Sequence, residues 1–292
     1  MSTPMRDIAP TLPVAVIIPC FNSGEVVEDA VASVLSQRPA EIVIVNDGST
    51  EPRTLMALER IQSPTVRVIH QENQGPSAAR QRGLSATVQP YVLSLDADDE
   101  LAPGALARML DALEKDSRLA VVWGDSERIG PHRKVFYPTG KTLDPWRITY
   151  INELVASTLM RRSSLDAVGG WSFSRGYEDW DVWMSMAENG MQGIHIGGVT
   201  LHYRVDGPGE HARHKLMHKQ LRAEMRARHP SLYGDRSKNS SISESGWLLR
   251  TLLSLSEKLP LVIEDNRTFV AFLFFLCEPW HFHRRRPRRF TV

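Results

Sequence analysis

From Val14 to Trp123 short β-branched runs alternate with segments of helical length, and this alternation constrains the fold more than any other property of the chain. Strands fit Val14–Ile18, Glu41–Asn46, Val66–His70, Tyr91–Asp96 and Leu119–Trp123. Between them, Glu25–Leu35, Thr54–Ile61, Ser77–Ala86 and Gly104–Lys115 carry apolar residues near the helical period. Segments in that order make βαβ units on a parallel sheet, with a ligand crevice beyond the carboxyl ends of the strands. After residue 124 the alternation stops. A strand at Ala156–Arg161, a helix at Glu178–Glu188 and a strand at Val199–Val205 predict a mixed sheet beside the first layer.

Three strand ends carry unusual chemistry: Pro19-Cys-Phe-Asn22, Asn46-Asp47-Gly48-Ser49-Thr50, and Asp96-Ala97-Asp98-Asp99. Asp47 is placed either to accept hydrogen bonds from a nucleobase or ribose, or to start an Asx turn. Three carboxylates within four residues raise one another's proton affinity. A divalent cation with phosphate on its far side would neutralise them, and an acidic turn before a helix is the alternative.

Bulk properties narrow the class. The 292 residues are 42% hydrophobic and 24% charged, which suits a globular protein. Lys and Arg (35) nearly balance Asp and Glu (34), so no global charge argues for nucleic acid. Cys20 and Cys277 match no metal or redox spacing, and a reducing compartment fits. Neither a signal-peptide core nor an apolar run of about 18 residues is evident, so a cytoplasmic protein is expected, with membrane contact open.

The motifs together resemble the family 2 glycosyltransferases of GT-A fold. The resemblance rests on Val16-Ile-Ile-Pro-Cys-Phe-Asn22, Val45-Asn-Asp-Gly-Ser-Thr50, Asn73-Gln-Gly75-Pro-Ser-Ala-Ala-Arg80 and Leu95-Asp-Ala-Asp-Asp99. It continues through Gly169-Gly-Trp171 and Glu178-Asp-Trp-Asp-Val-Trp183, covering about residues 12 to 206. It implies an α/β fold of GT-A type, a Rossmann-like nucleotide-binding sheet joined to a mixed acceptor-side sheet. Domain bounds of 12–230, then a C-terminal helical extension with a basic tail over 231–292, are the expectation.

Carried over by position, the resemblance implies that Asp47 holds the base or ribose of a nucleotide-sugar, with Pro19 and Asn22 on the same wall. Arg80 would meet the nucleotide or diphosphate. Asp96, Ala97 and Asp98 form the turn for nucleotide and metal, with Asp98 the direct ligand of Mg²⁺ or Mn²⁺ and Asp96 acting through ribose or water. Arg204 would lie near the diphosphate. His202 is a candidate third ligand or an ordinary histidine, because Asp206 stands where the family often has His. Asp179 would be the base that activates an acceptor hydroxyl, and Glu178 would bind or orient the acceptor. Trp180 is expected to face outward as a sugar-stacking platform, or else to pack.

Asp166, Asp181 and Glu188 read as solvated charges. Gln81 stands where Asn is common, and no Gln-x-x-Arg-Trp follows Asp179, which favours single addition over processive synthesis. His211, His214 and His218 share a helical face with Arg213, Lys215, Lys219 and Arg222, a cationic surface or a metal site. Asp235–Ser245 reads as a polar linker, with Ser241-Ile-Ser-Glu244 as a capping box for the next helix. Phe269–Cys277 and the arginines after it form either an interfacial anchor on anionic membrane or a packing or dimerising helix with a tail.

The resulting expectation is an inverting, metal-dependent transferase moving one sugar from a nucleoside-diphosphate sugar, UDP favoured, to a glycan or lipid-linked acceptor. Bacterial cell-surface polysaccharide assembly, in the cytoplasm or at the inner face of the membrane, is the setting the family implies. A sugar-nucleotide pyrophosphorylase and a non-catalytic nucleotide-sugar binding protein are the alternatives; a homodimer is open.

Overall fold

The computed structural model describes residues 10–129, 134–136, 140–174, 176–204, 210–256 and 267–277. The first layer is built from β1 (Leu12–Cys20), α1 (Val26–Leu35), β2 (Pro39–Asp47), α2 (Pro52–Arg60), β3 (Val66–Gln71), α3 (Pro76–Ser85) and β4 (Tyr91–Ser94). Strands β3, β2, β1 and β4 lie side by side and run parallel. Every helix expected here forms, with bounds within two residues of the predicted ones.

The second layer is mixed, as expected. It comprises β5 (Glu100–Leu101), α4 (Ala105–Lys115), β6 (Leu119–Ile129), β7 (Lys134–Phe136), β8 (Leu159–Arg161), α5 (Arg162–Ala167), α6 (Glu178–Glu188) and β9 (Gln192–Arg204). Strand β8 inserts antiparallel between β4 and β6, and the order β3-β2-β1-β4-β8-β6-β9-β5 makes one nine-stranded sheet with β7 on β6. The strand predicted at 199–205 is thus longer, starting at Gln192. Gly197 and Gly198 look like a break in the sequence, but they sit at φ 69° and 75° inside the strand, where the β6–β9 register shifts. A local bulge re-aims the strand without ending it.

Both faces of the sheet are covered, which is why β1 reads as a continuous apolar run. Val14, Val16 and Ile18 join Val27, Val31, Leu106 and Met109 on one side. Ile17 faces the other way, into a cluster with Val92, Trp123, Trp171, Trp180 and Trp183. Each fully buried aliphatic side chain contributes roughly 1.5–3 kcal/mol.

The C-terminal part holds α7 (Glu210–Arg228), α8 (Pro230–Gly234), α9 (Arg236–Ile242), α10 (Trp247–Ser256) and α11 (Arg267–Cys277). The expected linker at 235–245 is largely helix α9. Its polar composition hides a buried anchor: Arg236 donates from Nε to Thr149 Oγ1 at 3.0 Å and lies over the rings of Tyr150 and Tyr233. Nor does Ser241–Glu244 act as a capping box. Glu244 accepts from the amides of Lys141 and Thr142, Ser243 Oγ donates to Asp144 Oδ2 at 2.6 Å, and α10 begins only at Trp247. Leu249 and Leu253 of α10 with Val270, Leu273 and Phe274 of α11 close a third cluster on Trp146 and Tyr150.

Candidate active site

The carboxyl ends of β1, β2 and β4 place the three unusual turns along one rim. Asn22 is left-handed at φ 48°, and its Oδ1 accepts from the amides of Thr50 (2.9 Å) and Glu51 (3.0 Å), while Ser49 Oγ accepts from its own amide. Pro19, near the end of β1, pairs with Val45 in the parallel register. The first two turns are therefore stitched together. Asp47 is buried at the end of β2. Its Oδ1 accepts from Gln71 Nε2 and the Gln74 amide, and its Oδ2 from the Gly75 amide, each at 2.8 Å. Gly48, at φ 72°, permits this fold-back, since a Cβ there would meet the Asn73 amide nitrogen at 2.7 Å.

Arg80 projects from α3 into the middle of the site. It is buried and donates to Ser94 Oγ (3.0 Å), Glu178 Oε1 (2.7 Å) and Asp96 Oδ1 (2.7 Å). Burial alone would favour losing its proton, but the charges of Asp179, Asp96 and Glu178 outweigh that and hold the guanidinium well above its ordinary pKa. Residues 98 positions apart are joined by this one side chain. Glu178 and Asp179 thus both meet the site through Arg80, although only Glu178 makes the ion pair.

Asp179 opens α6. Burial, then the Glu178 and Asp96 carboxylates, push its pKa up to about 7 against the pull of Arg80. Trp171 Nε1 donates to Asp179 Oδ1 at 3.2 Å, and the Trp171 amide is held by Gln81 Oε1 at 3.0 Å. The spacing of Trp171 and Gln81 from Asp179 carries no signal of these contacts without the fold. Tyr177, just before α6, is left-handed at φ 61°, an uncommon state for an aromatic residue. Its hydroxyl bonds His218 Nδ1 at 2.8 Å and its ring packs against Trp180.

In the acidic turn, Ala97 is buried in the core, Asp98 is exposed, and Asp96 keeps about a third of its side chain in solvent. Asp99 is buried, and burial with the Asp96 and Asp98 charges raises its pKa to about 9. Its Oδ1 accepts from the Arg204 amide (2.9 Å), while Arg204 donates to the Asp98 carbonyl (3.2 Å) and pairs with Glu100 (2.9 Å) and Asp29 (3.3 Å). Asp96, Glu178 and Asp179 outnumber the one buried arginine they surround. Two carboxylates on one exposed turn suit a hard cation that completes its shell with phosphate and water. Among the described residues no group of three His, Cys, Asp or Glu is arranged as a full protein cage.

Four expectations need correction. His202 does not join Asp96 and Asp98; its Nε2 lies 3.7 Å from Glu127 across the β6–β9 pairing. Alternation on β9 turns the next residue, Tyr203, toward the acids, whose charges and burial raise its pKa to about 12. Trp180 is no open platform: it is buried, donating from Nε1 to the Ile148 carbonyl at 2.8 Å beneath Arg222. Asp181 and Glu188 are also not solvated. Asp181 is 1% exposed and binds Arg228 and His229, and His229 reaches Glu188. Asp166 is half exposed and pairs along its helix with Arg162. The side chains of His211 and His214, and Asp206, lie outside the described residues.

The family model described as Glycosyl transferase family 2 matches residues 15–178. The chain is 38% identical over 110 residues to an uncharacterized glycosyltransferase, YibD, of Escherichia coli K12, covering 36% of this chain and 32% of that protein. It is 26% identical over 188 residues to the chondroitin synthase of Pasteurella multocida, covering 61% of this chain and 19% of the relative. The chain thus spans a third or less of the length of these two relatives. Among solved structures, S. aureus TarS 1-349 in complex with UDP-GlcNAc superposes with a TM-score of 0.65 at 18% identity, covering 91% of this chain and 82% of that one. The mannosyltransferase PcManGT of Pyrobaculum calidifontis, in complex with GDP-Man and Mn²⁺, gives 0.57 at 18% identity, covering 91% and 86%. With its family motifs spanning more than half its length and gathered on this sheet, the chain belongs to glycosyl transferase family 2 and has the GT-A fold.

Proposed function

We propose that the protein transfers one sugar, with inversion, from a nucleoside-diphosphate sugar to a hydroxyl of a glycan or lipid-linked acceptor in bacterial surface polysaccharide assembly. The observation that carries this reading is the meeting of Asp179, Glu178 and Asp96 around the buried Arg80. A carboxylate with a pKa of about 7 is suited to take a proton from an acceptor hydroxyl near neutral pH. Glu178, held by Arg80, is fixed in reach of the same acceptor. Arg80 itself is used internally, which supports a role in setting Asp96 and Glu178 in place more than in gripping phosphate.

Asp98 and Asp96 would hold Mg²⁺ or Mn²⁺, which when bound neutralises charge on the departing nucleoside diphosphate. Arg204 steadies the turn that carries them through Asp99 and the Asp98 carbonyl. At Asp47 three of about four acceptor positions are taken, leaving one on Oδ2. One acceptor matches the single imide N–H of uracil better than the adjacent N–H and NH₂ donors of guanine, which favours a UDP-sugar. Family membership tells against a pyrophosphorylase.

The test is Asp179→Asn with a panel of nucleotide-sugars and Mn²⁺. Donor binding should stay within about twofold of wild type while transfer falls by about 10²–10⁴. Equal transfer by the variant would remove Asp179 from the mechanism, and a donor preference for GDP would remove the uridine argument.

A further inference from the structure

Helix α3 serves both ends of the site. The Gly75 amide at its start reaches Asp47 Oδ2 at 2.8 Å, and Arg80 further along binds Asp96 and Glu178. Two more of its side chains, Ser77 and Gln81, lie one turn apart on one helical face. Both bond the backbone of residues 171–173: Gln81 Oε1 accepts from the Trp171 amide at 3.0 Å, and Ser77 Oγ donates to the Phe173 carbonyl. Residues 90 and 96 positions apart are joined in this way.

The segment that receives these bonds belongs to no helix or strand. Gly169 and Gly170 are left-handed, at φ 82° and 68°, and carry the chain from the end of α5 to Trp171. A Cβ on Gly170 would lie 2.2 Å from Gln81 Oε1, so a glycine there is what admits the amide. Trp171 in turn donates from Nε1 to Asp179 Oδ1 at 3.2 Å, the long end of an N–H···O bond. A drift of a few tenths of an ångström would end that contact. The hold of α3 on the backbone is therefore what keeps the indole in range.

We propose that Gln81 and Ser77 are positioning residues for proton transfer: they pin residues 171–173 to α3 so that the Trp171 indole stays on Asp179. The role rests on the reading of Asp179 as the base. Gln81 and Ser77 act through Trp171, and the helix whose first amide binds Asp47 thereby also sets the group that takes the proton. Loss of either pin leaves the bonds of Asp47 and Asp96 in place, so donor binding is spared. What changes is the carboxylate. Without the indole N–H its charged form is less stable, and it gives up its proton only at higher pH.

The experiment pairs a pH–rate profile with the indole N–H resonance of Trp171 in the full-length chain, labelled on tryptophan and assigned among its seven tryptophans by the signal lost in Trp171→Phe. In wild type that resonance should titrate with a midpoint at about 7, following Asp179. Gln81→Met keeps the length of the side chain and removes the oxygen; Gln81→Glu keeps an oxygen that can accept. With Gln81→Met the resonance should lose most of its titration and the acid limb should move up by about one pH unit. The kcat at about pH 6 should fall about tenfold, with KM for the donor within about twofold. Gln81→Glu should restore the titrating resonance, and Ser77→Ala should move the limb in the same direction as Gln81→Met. In a Trp171→Phe background, Gln81→Met should change kcat by less than about twofold. An unchanged resonance in Gln81→Met, or an equal fall of kcat in both backgrounds, would overturn the positioning role, and an unmoved limb in Ser77→Ala would remove Ser77 from it. A titrating wild-type resonance without sugar transfer would instead overturn the reading of Asp179 as the base.

Discussion

Asp179 shows how a single residue acquires its chemistry from neighbours distant in sequence. Burial and the carboxylates of Glu178 and Asp96 raise its proton affinity; Arg80 and the Trp171 indole lower it, and the balance falls at about 7. Transfer should therefore rise with pH through about 7, with the rate one pH unit below that roughly a tenth of the plateau. Trp171→Phe removes an N–H that stabilises the carboxylate, so the limb of the pH–rate profile should move to higher pH. The rate at pH 6 should then fall more than the rate at pH 8, with KM for the donor within about twofold. An unmoved limb would mean that the indole does not act on Asp179.

At the scale of elements, α6 is anchored at its far face by a buried network to α7 and α8. His229 presents Nε2 to Asp181 and Nδ1 to Glu188, both at 3.0 Å, and Arg228 pairs with Asp181. Burial opposes the charged imidazole, yet hydrogen bonds to Asp181 and Glu188 raise its pKa above the usual 6.5. Both carboxylates, despite burial, are held below their ordinary 3.8 and 4.5. The signs follow from linkage. Stability from His229 is complete below 6.5 and is lost as pH rises through its higher folded value; stability from the carboxylates is complete above 4.5 and is lost on acidification. The contribution of this network should therefore be greatest between about pH 4.5 and 6.5; Asp99 and Asp179, whose pKa values are raised, add their own decline as pH rises, and His229→Gln should make the overall alkaline decline shallower than in wild type. A variant that keeps the full alkaline decline would place its cause elsewhere.

Across the whole molecule, the C-terminal helix pair is fastened to the segment around Trp146 and Tyr150, which in turn carries Ile148, the acceptor for the Trp180 indole. Phe274 is fully buried there, with the Arg147 guanidinium 4.7 Å above its ring. Phe274→Ala should cost about 3–5 kcal/mol in urea denaturation. A loss under about 1 kcal/mol would show that the helix pair contributes little to the stability of the fold.

Much of this is legible in the sequence. Short β-branched runs and helical patterning located the first four strands and their helices, because a sheet buried on both faces demands unbroken apolar runs, and the order of turns carried the family resemblance. The bounds of α6, Glu178–Glu188, were read without error. What patterning could not supply was which faces other elements would cover. Trp180 and Asp181 look outward on their own helix, but α7 and α8 pack across it and make one an interior donor and the other an interior ion pair. The Gly197-Gly198 pair looks like a break and is a bulge, since only pairing with β6 holds the strand on either side. The sequence by itself determined the parallel layer, the family and the carboxylates at the rim, because these follow from local period and local turn chemistry. Only the tertiary structure decided that Arg80 would bind Asp96 and Glu178 together and that Trp171 would reach Asp179, because charge and burial depend on contacts across some 8 to 98 residues that no local pattern records.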